Sequence, residues 1–134
     1  MEGFTRCYTE DGNGVEELKA SLGKTIYKIK LNNNVVSLTL DDGSQFEFWD
    51  NGQNCCEERY LDTFDDIERI EGQKLVGVQV LNAGTPPEHD KQEVECHEIS
   101  FLEFKTDKDV ISFSSHNLHN GYYGGISLTV KKVK

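Results

Sequence analysis

Apolar and polar residues alternate along much of the chain. Tyr27, Ile29 and Leu31 alternate with Lys28 and Lys30, the period of a strand with one buried face. Val36, Leu38 and Leu40 repeat the pattern, and Phe46 and Phe48 carry it on to Trp49. Between the first two runs stands Asn32-Asn33-Asn34, and asparagine tolerates left-handed backbone angles. Between the second and third stands Asp41-Asp42-Gly43-Ser44, a hairpin sequence. This predicts a three-stranded antiparallel meander over residues 25–49.

Helical spacing precedes it. Leu18 and Leu22 share one face over residues 15–22, with Asn13 or Gly14 as the cap and Gly23 as the stop. A second helical turn is predicted over 64–70. There Thr63 and Asp66 have capping-box spacing, Ile67 and Ile70 face inward, and Gly72 follows. Val76, Val78 and Val80 mark a buried strand over 75–81. Residues 82–92 hold Pro86-Pro87 among charged positions and read as an exposed loop. Further strands are predicted over 94–105, 110–115 and 123–133, with Asp107-Lys108-Asp109 turning between the first two. The expected fold is α+β and mostly antiparallel β. It is a sheet of about six strands with one or two short helices. All 134 residues form one domain, with 1–14 as a loose lead-in. Exposed strand edges invite pairing, so a homodimer is expected.

Charge narrows the choice of partner. Lys and Arg number 14 against 24 Asp and Glu, a net charge of −10. Such a surface repels nucleic-acid phosphates, and no basic stripe with interleaved aromatics offsets it. Residues 1–20 lack an apolar signal core, and no run approaches the roughly 20 apolar residues of a membrane span. A cytoplasmic protein is therefore expected, without nucleic-acid or membrane binding. Its Cys7, Cys55, Cys56 and Cys96 would be reduced thiols.

Two strings are not explained by strand periodicity. One is Asn54-Cys55-Cys56-Glu57-Glu58 and the other Asn120-Gly121-Tyr122-Tyr123-Gly124-Gly125. Adjacent cysteines would point to opposite faces of a strand, and the glycines free the backbone around two large rings. Tyr122 and Tyr123 can stack on a base. His116, Asn120 and backbone N–H groups near Gly121 can take a ribose or phosphate. Glu57 can order His116 or a tyrosine hydroxyl, and a buried cysteine can pack beneath the rings. Cys55, Cys56, Glu57, His116, Asn120, Gly121, Tyr122 and Tyr123 are thus the candidate ligand-binding residues, expected to form one site. A plainer reading packs one cysteine in the core and leaves the other at a loop edge. Zinc could recruit His116 and His119, or Cys96 and His97, but adjacent cysteines do not match zinc-ribbon spacing. A Cys55 or Cys56 nucleophile with His116 as base is a further alternative. None of the nucleophile-elbow, phosphate-loop, zinc-protease or dinucleotide motifs is present. The expectation is a binding protein, not an enzyme, without metal or cofactor.

The order of these features resembles a family of small uncharacterised domains encoded by phages and their bacterial hosts. The likeness runs over about residues 20–131. It begins at Leu22-Gly23-Lys24-Thr25-Ile26 and passes through the Asp-Asp-Gly turn, the Cys-Cys-Glu string and the Asp-Asp-Ile turn before Gly72. It ends with Asn-Gly-Tyr-Tyr-Gly. The resemblance implies a phage context, in which small accessory proteins often block host immunity. The function it suggests is an anti-defence protein that sequesters a nucleotide-derived immune signal in the host cytoplasm. The alternatives are direct inhibition of a host defence protein by an acidic surface, DNA mimicry included, and a ligand-free accessory role.

Overall fold

In the computed structural model, described over residues 13–50, 58–84, 96–119 and 128–134, the chain folds into two four-stranded antiparallel sheets. Helix α1 (Asn13–Ala20) leads into β1 (Ile26–Asn32), β2 (Val35–Leu40) and β3 (Gln45–Asp50). Then come β4 (Glu58–Asp62), a 3-10 turn (Ile67–Ile70), β5 (Leu75–Gly84), β6 (Cys96–Thr106), β7 (Val110–His119) and β8 (Leu128–Lys132). The first sheet has the order β1-β2-β3-β8 and the second β4-β7-β6-β5. The class is as the alternation predicts, but there are eight strands in two sheets, where about six in one were expected.

The connectivity repeats itself. β1-β2-β3 and β5-β6-β7 are both hairpin meanders. Each then sends its next strand into the opposite sheet: β4 pairs with β7, and β8 pairs with β3. The two halves thus exchange their fourth strands. The crossings are residues 51–57 and 120–127, outside the described residues.

The meander turns form as their residues dictate. Asn33 and Asn34 take φ of 49° and 64°, and Gly43 takes 90°, the left-handed region that these residue types tolerate. The Asp42 side chain accepts from the Ser44 N–H at 2.9 Å and from Lys24 Nζ. One expected alternation is shifted. The pairing of β1 with β2 slips between Ile26 and Lys28. Ile26 and Ile29 are therefore buried, while Tyr27 is 68% exposed. A similar slip between Leu75 and Gly77 turns Val76 outward, although Val78 is buried as expected.

Helix α1 starts and ends two residues before its predicted limits. It packs against β8 so closely that a Cβ on Gly14 would lie 2.0 Å from the Val130 carbonyl oxygen. The capping box expected at Thr63 and Asp66 is replaced by another device. Asp66 makes no side-chain cap. Thr63 Oγ1 accepts from the Asp65 N–H at 3.1 Å and donates to the Ser112 carbonyl at 2.7 Å. The core lies between the sheets, built on Phe46 and Phe48 from one and Phe104 and Phe113 from the other. Phe104 meets Phe48 and Phe113 edge-on, with ring centroids 5.1 and 5.7 Å away, a favourable aromatic geometry.

Candidate functional site

The second sheet changes character along its length. On its inward face, residues in register across β7, β6 and β5 begin as Ile111, Phe104 and Val78. Next come Phe113, Leu102 and Val80. The following row is Leu61 on β4, Ser115 and Ser100, and the last is Arg59, Asn117 and Glu98. The period of two keeps aiming side chains inward after the apolar residues have stopped. Ser115 and Asn117 are consequently fully buried. Among the described residues Ser115 Oγ has no hydrogen-bond partner.

The first sheet does the same on β3. Phe46 and Phe48 are buried, and the next residue of their parity is Asp50. The Asp50 carboxylate meets Arg59 across the gap, with Nη1 2.9 Å from each oxygen. The two side chains are only 6% and 5% exposed. Removing one member of a pair so withdrawn from water is costly, and here the pair ties the end of β3 to the start of β4.

That tie marks the end of the sandwich where the long connections attach. β3 leaves at Asp50 and β8 returns opposite it at Leu128. β4 begins at Glu58, opposite Leu118. β7 ends at His119, opposite the first residue of β6, Cys96. The Cys-Cys-Glu string therefore runs directly into β4, and the Asn-Gly-Tyr-Tyr string runs directly out of β7, the strand beside it. Cys55, Cys56, Glu57, Asn120, Gly121, Tyr122 and Tyr123 themselves lie outside the described residues. So do residues 85–95, while β5 runs on through Gly84, three residues past its predicted end.

His116 is described, and it sits on a strand. β7 was expected to stop at Ser115 and continues to His119. His116 projects from the outer face, where its ring stacks on Tyr60 at 4.4 Å and 8°. Its Nε2 lies 3.1 Å from Asp62 Oδ1. Asp62 can thus orient the ring at this nitrogen, while Glu57, for which the sequence suggested an orienting role, lies outside the described residues. Burial holds the Tyr60 phenol above its ordinary 10.0, and the nearby Asp62 and Glu58 charges push the same way.

Arg59 and Asp50 were not among the residues expected to matter, and the inward burial of Ser115 and Asn117 was not foreseen from their polar character. Their signal is parity. Each continues an inward alternation: Asp50 after Phe46 and Phe48, and Ser115 and Asn117 after Ile111 and Phe113. Arg59 shares its face with Leu61. Among the described residues no helix is long and apolar enough to cross a membrane.

The chain belongs to the family described as Domain of unknown function (DUF7448), whose model matches residues 19–129. The match takes in all of β1 to β7 and both crossings, and leaves out most of α1. No curated protein and no solved structure gives a significant match to the chain.

Proposed function

We propose that this member of the DUF7448 family is a phage-type anti-defence protein. It binds and sequesters a nucleotide-derived immune signal in the host cytoplasm and does not consume it. The observation carrying this reading is the shared anchorage of the two strings. They occupy the two equivalent crossings of the fold, and both attach at one end of the sandwich, to the paired strands β4 and β7. Recognition residues are commonly held on loops above a rigid scaffold. The buried Arg59–Asp50 pair fixes the roots of the first crossing.

The chemistry is that of a base and its phosphate. Tyr122 and Tyr123 supply faces for stacking. Asn120 and backbone N–H groups near Gly121 suit a ribose or phosphate, which a chain with a net charge of −10 must meet with dipoles and hydrogen bonds. Cys55, Cys56 and Glu57, carried on the other crossing, are the remaining candidate ligand-binding residues.

Calorimetry against cyclic and ribosylated nucleotides tests the reading. One of them should bind, and chromatography should recover it unchanged. Tyr122→Ala should weaken binding on the order of tenfold or more, because stacking on an aromatic ring contributes about 1–3 kcal/mol per base. Glu57→Ala should weaken the same binding, with melting of both variants unaltered. Failure of every nucleotide, together with salt-sensitive capture of a host defence protein, would instead identify a direct acidic inhibitor.

A further inference from the structure

A sheet edge is a row of unpaired backbone N–H and C=O groups. Proteins blunt such edges with charge, brevity or cover. Three of the four outer strands here are blunted. β1 carries the exposed Lys28 and Lys30. β4 has five residues, among them Glu58, Arg59 and Asp62. β8 also has five, including Lys131 and Lys132, and α1 packs against it. Among the described residues, β5 has neither charge, brevity nor cover. Although its pairing with β6 slips between Leu75 and Gly77 and between Asn82 and Gly84, the register is even over 77–82. Its ten residues, Leu75–Gly84, include no charge and no proline, although 28% of the chain is charged. It touches the first sheet only at its start. There Thr25 bridges Lys74, Gly23 N–H donates to the Leu75 carbonyl, and Leu75 N–H donates to the Lys24 carbonyl. Among the described residues nothing pairs with its outer side over 77–84. Val76 and Leu81 stand 43% and 42% exposed along it. Beside it runs a groove of about 270 Å³ lined by Leu22, Val76, Val78 and Gln79 among others.

We propose that this edge pairs antiparallel with β5 of a second copy of the chain. Two four-stranded sheets then become one continuous eight-stranded sheet across a twofold axis. A strand laid antiparallel on its own copy is self-complementary under that symmetry, so one surface serves both partners. Charge selects the place. Copies that each carry −10 repel one another wherever acidic surfaces face. β5 is the long edge along which the backbones can approach with no charge from either strand. The neighbouring Glu103 and Lys105 of β6 offset one another, so a basic partner gains no net attraction there and is drawn to the acidic surface elsewhere. Pairing also covers Val76 and Leu81, which the monomer leaves in water.

Sedimentation over a concentration series, combined with amide exchange, tests the proposal. The wild-type protein should reach twice its 15.2 kDa mass, and the amides over 77–84 should become more protected as concentration rises. The Val76→Glu/Leu81→Glu variant, which places extra negative charge along the seam, should sediment at 15.2 kDa. Wild-type protein that stays at 15.2 kDa throughout overturns the proposal. So does a folded variant that still dimerises, or a dimer whose β5 amides exchange as fast as when dilute. If the variant does not melt cooperatively, the wild-type exchange pattern decides alone.

Discussion

The two ends of the sandwich are built differently, although the polar end also keeps one described tight turn, Asn33-Asn34, whose Asn34 Oδ1 accepts from the Leu61 N–H at 3.1 Å. At one end every strand connection lies within the described residues and is tied down by side chains. Thr106 Oγ1 accepts from the Lys108 and Asp109 N–H groups at 3.1 and 2.8 Å. Asp65 Oδ2 accepts from the Ser112 N–H at 2.8 Å, and Gln73 Nε2 reaches Asp109 Oδ2 at 2.9 Å. Beneath these turns the inward residues are aliphatic and aromatic. At the other end the inward residues are Arg59, Asn117, Ser115 and Asp50, and residues 51–57, 85–95 and 120–127 attach there. Turns that satisfy their own backbone add stability and leave no group for a partner. A buried ion pair adds little net stability, yet it fixes geometry at the roots of whatever it anchors. One end maintains the fold, and the other is where the proposed recognition site would be rooted.

Breaking the ion pair should have the largest effect. Arg59→Ala removes both hydrogen bonds that Nη1 gives the buried Asp50 carboxylate and should cost about 3–5 kcal/mol in urea unfolding. Replacing both residues with apolar ones of similar volume should restore most of that loss. If Arg59→Ala costs no more than a surface substitution, the pair is not the brace described here. At the opposite end, Thr106→Val removes one hydroxyl that serves two backbone donors. It should cost about 1–2 kcal/mol, with no change in any ligand affinity measured at the far end. A change there would show that the two ends are not independent.

The smallest expected effect is one of pH. Asp42 is held well below the ordinary carboxylate value of 3.8, first by its bond to Lys24 and then by those to Ser44. A depressed carboxyl stabilises the fold above the unfolded value and loses that contribution as pH falls through the folded one. The Asp42→Asn variant should therefore melt slightly below wild type at neutral pH, and the gap should narrow below about pH 4. Because Asp42 is exposed, solvent screening keeps the gap small. A gap that widens on acidification would contradict this sign.

Much of this architecture was legible in the alternation. The first meander and its Asn33-Asn34 and Gly43 turns follow from residue type and spacing alone. β4 escaped notice because Glu58-Arg59-Tyr60-Leu61-Asp62 offers only Leu61 as an apolar inward residue, and Arg59 occupies the other inward place. The second sheet was missed for a different reason. Periodicity tells which face a strand buries but not which strand lies beside it, and here each fourth strand joins the half it does not follow. The charged and polar inward residues were hidden by the habit of ending a strand at its last apolar residue. Carrying the parity of Phe48 forward to Asp50, and of Phe113 forward to Asn117, finds them.

The exchange of fourth strands also constrains the order of assembly. Phe46 takes Lys132 as its partner and Asp50 takes Leu128, so the first sheet stays open until β8 has left the ribosome. The early meander must wait with the β3 edge uncovered while β4 to β7 are synthesised. Pairings so distant in sequence make for slow closure. β8, the last of the described strands in chain order, completes the sheet begun by the first strands.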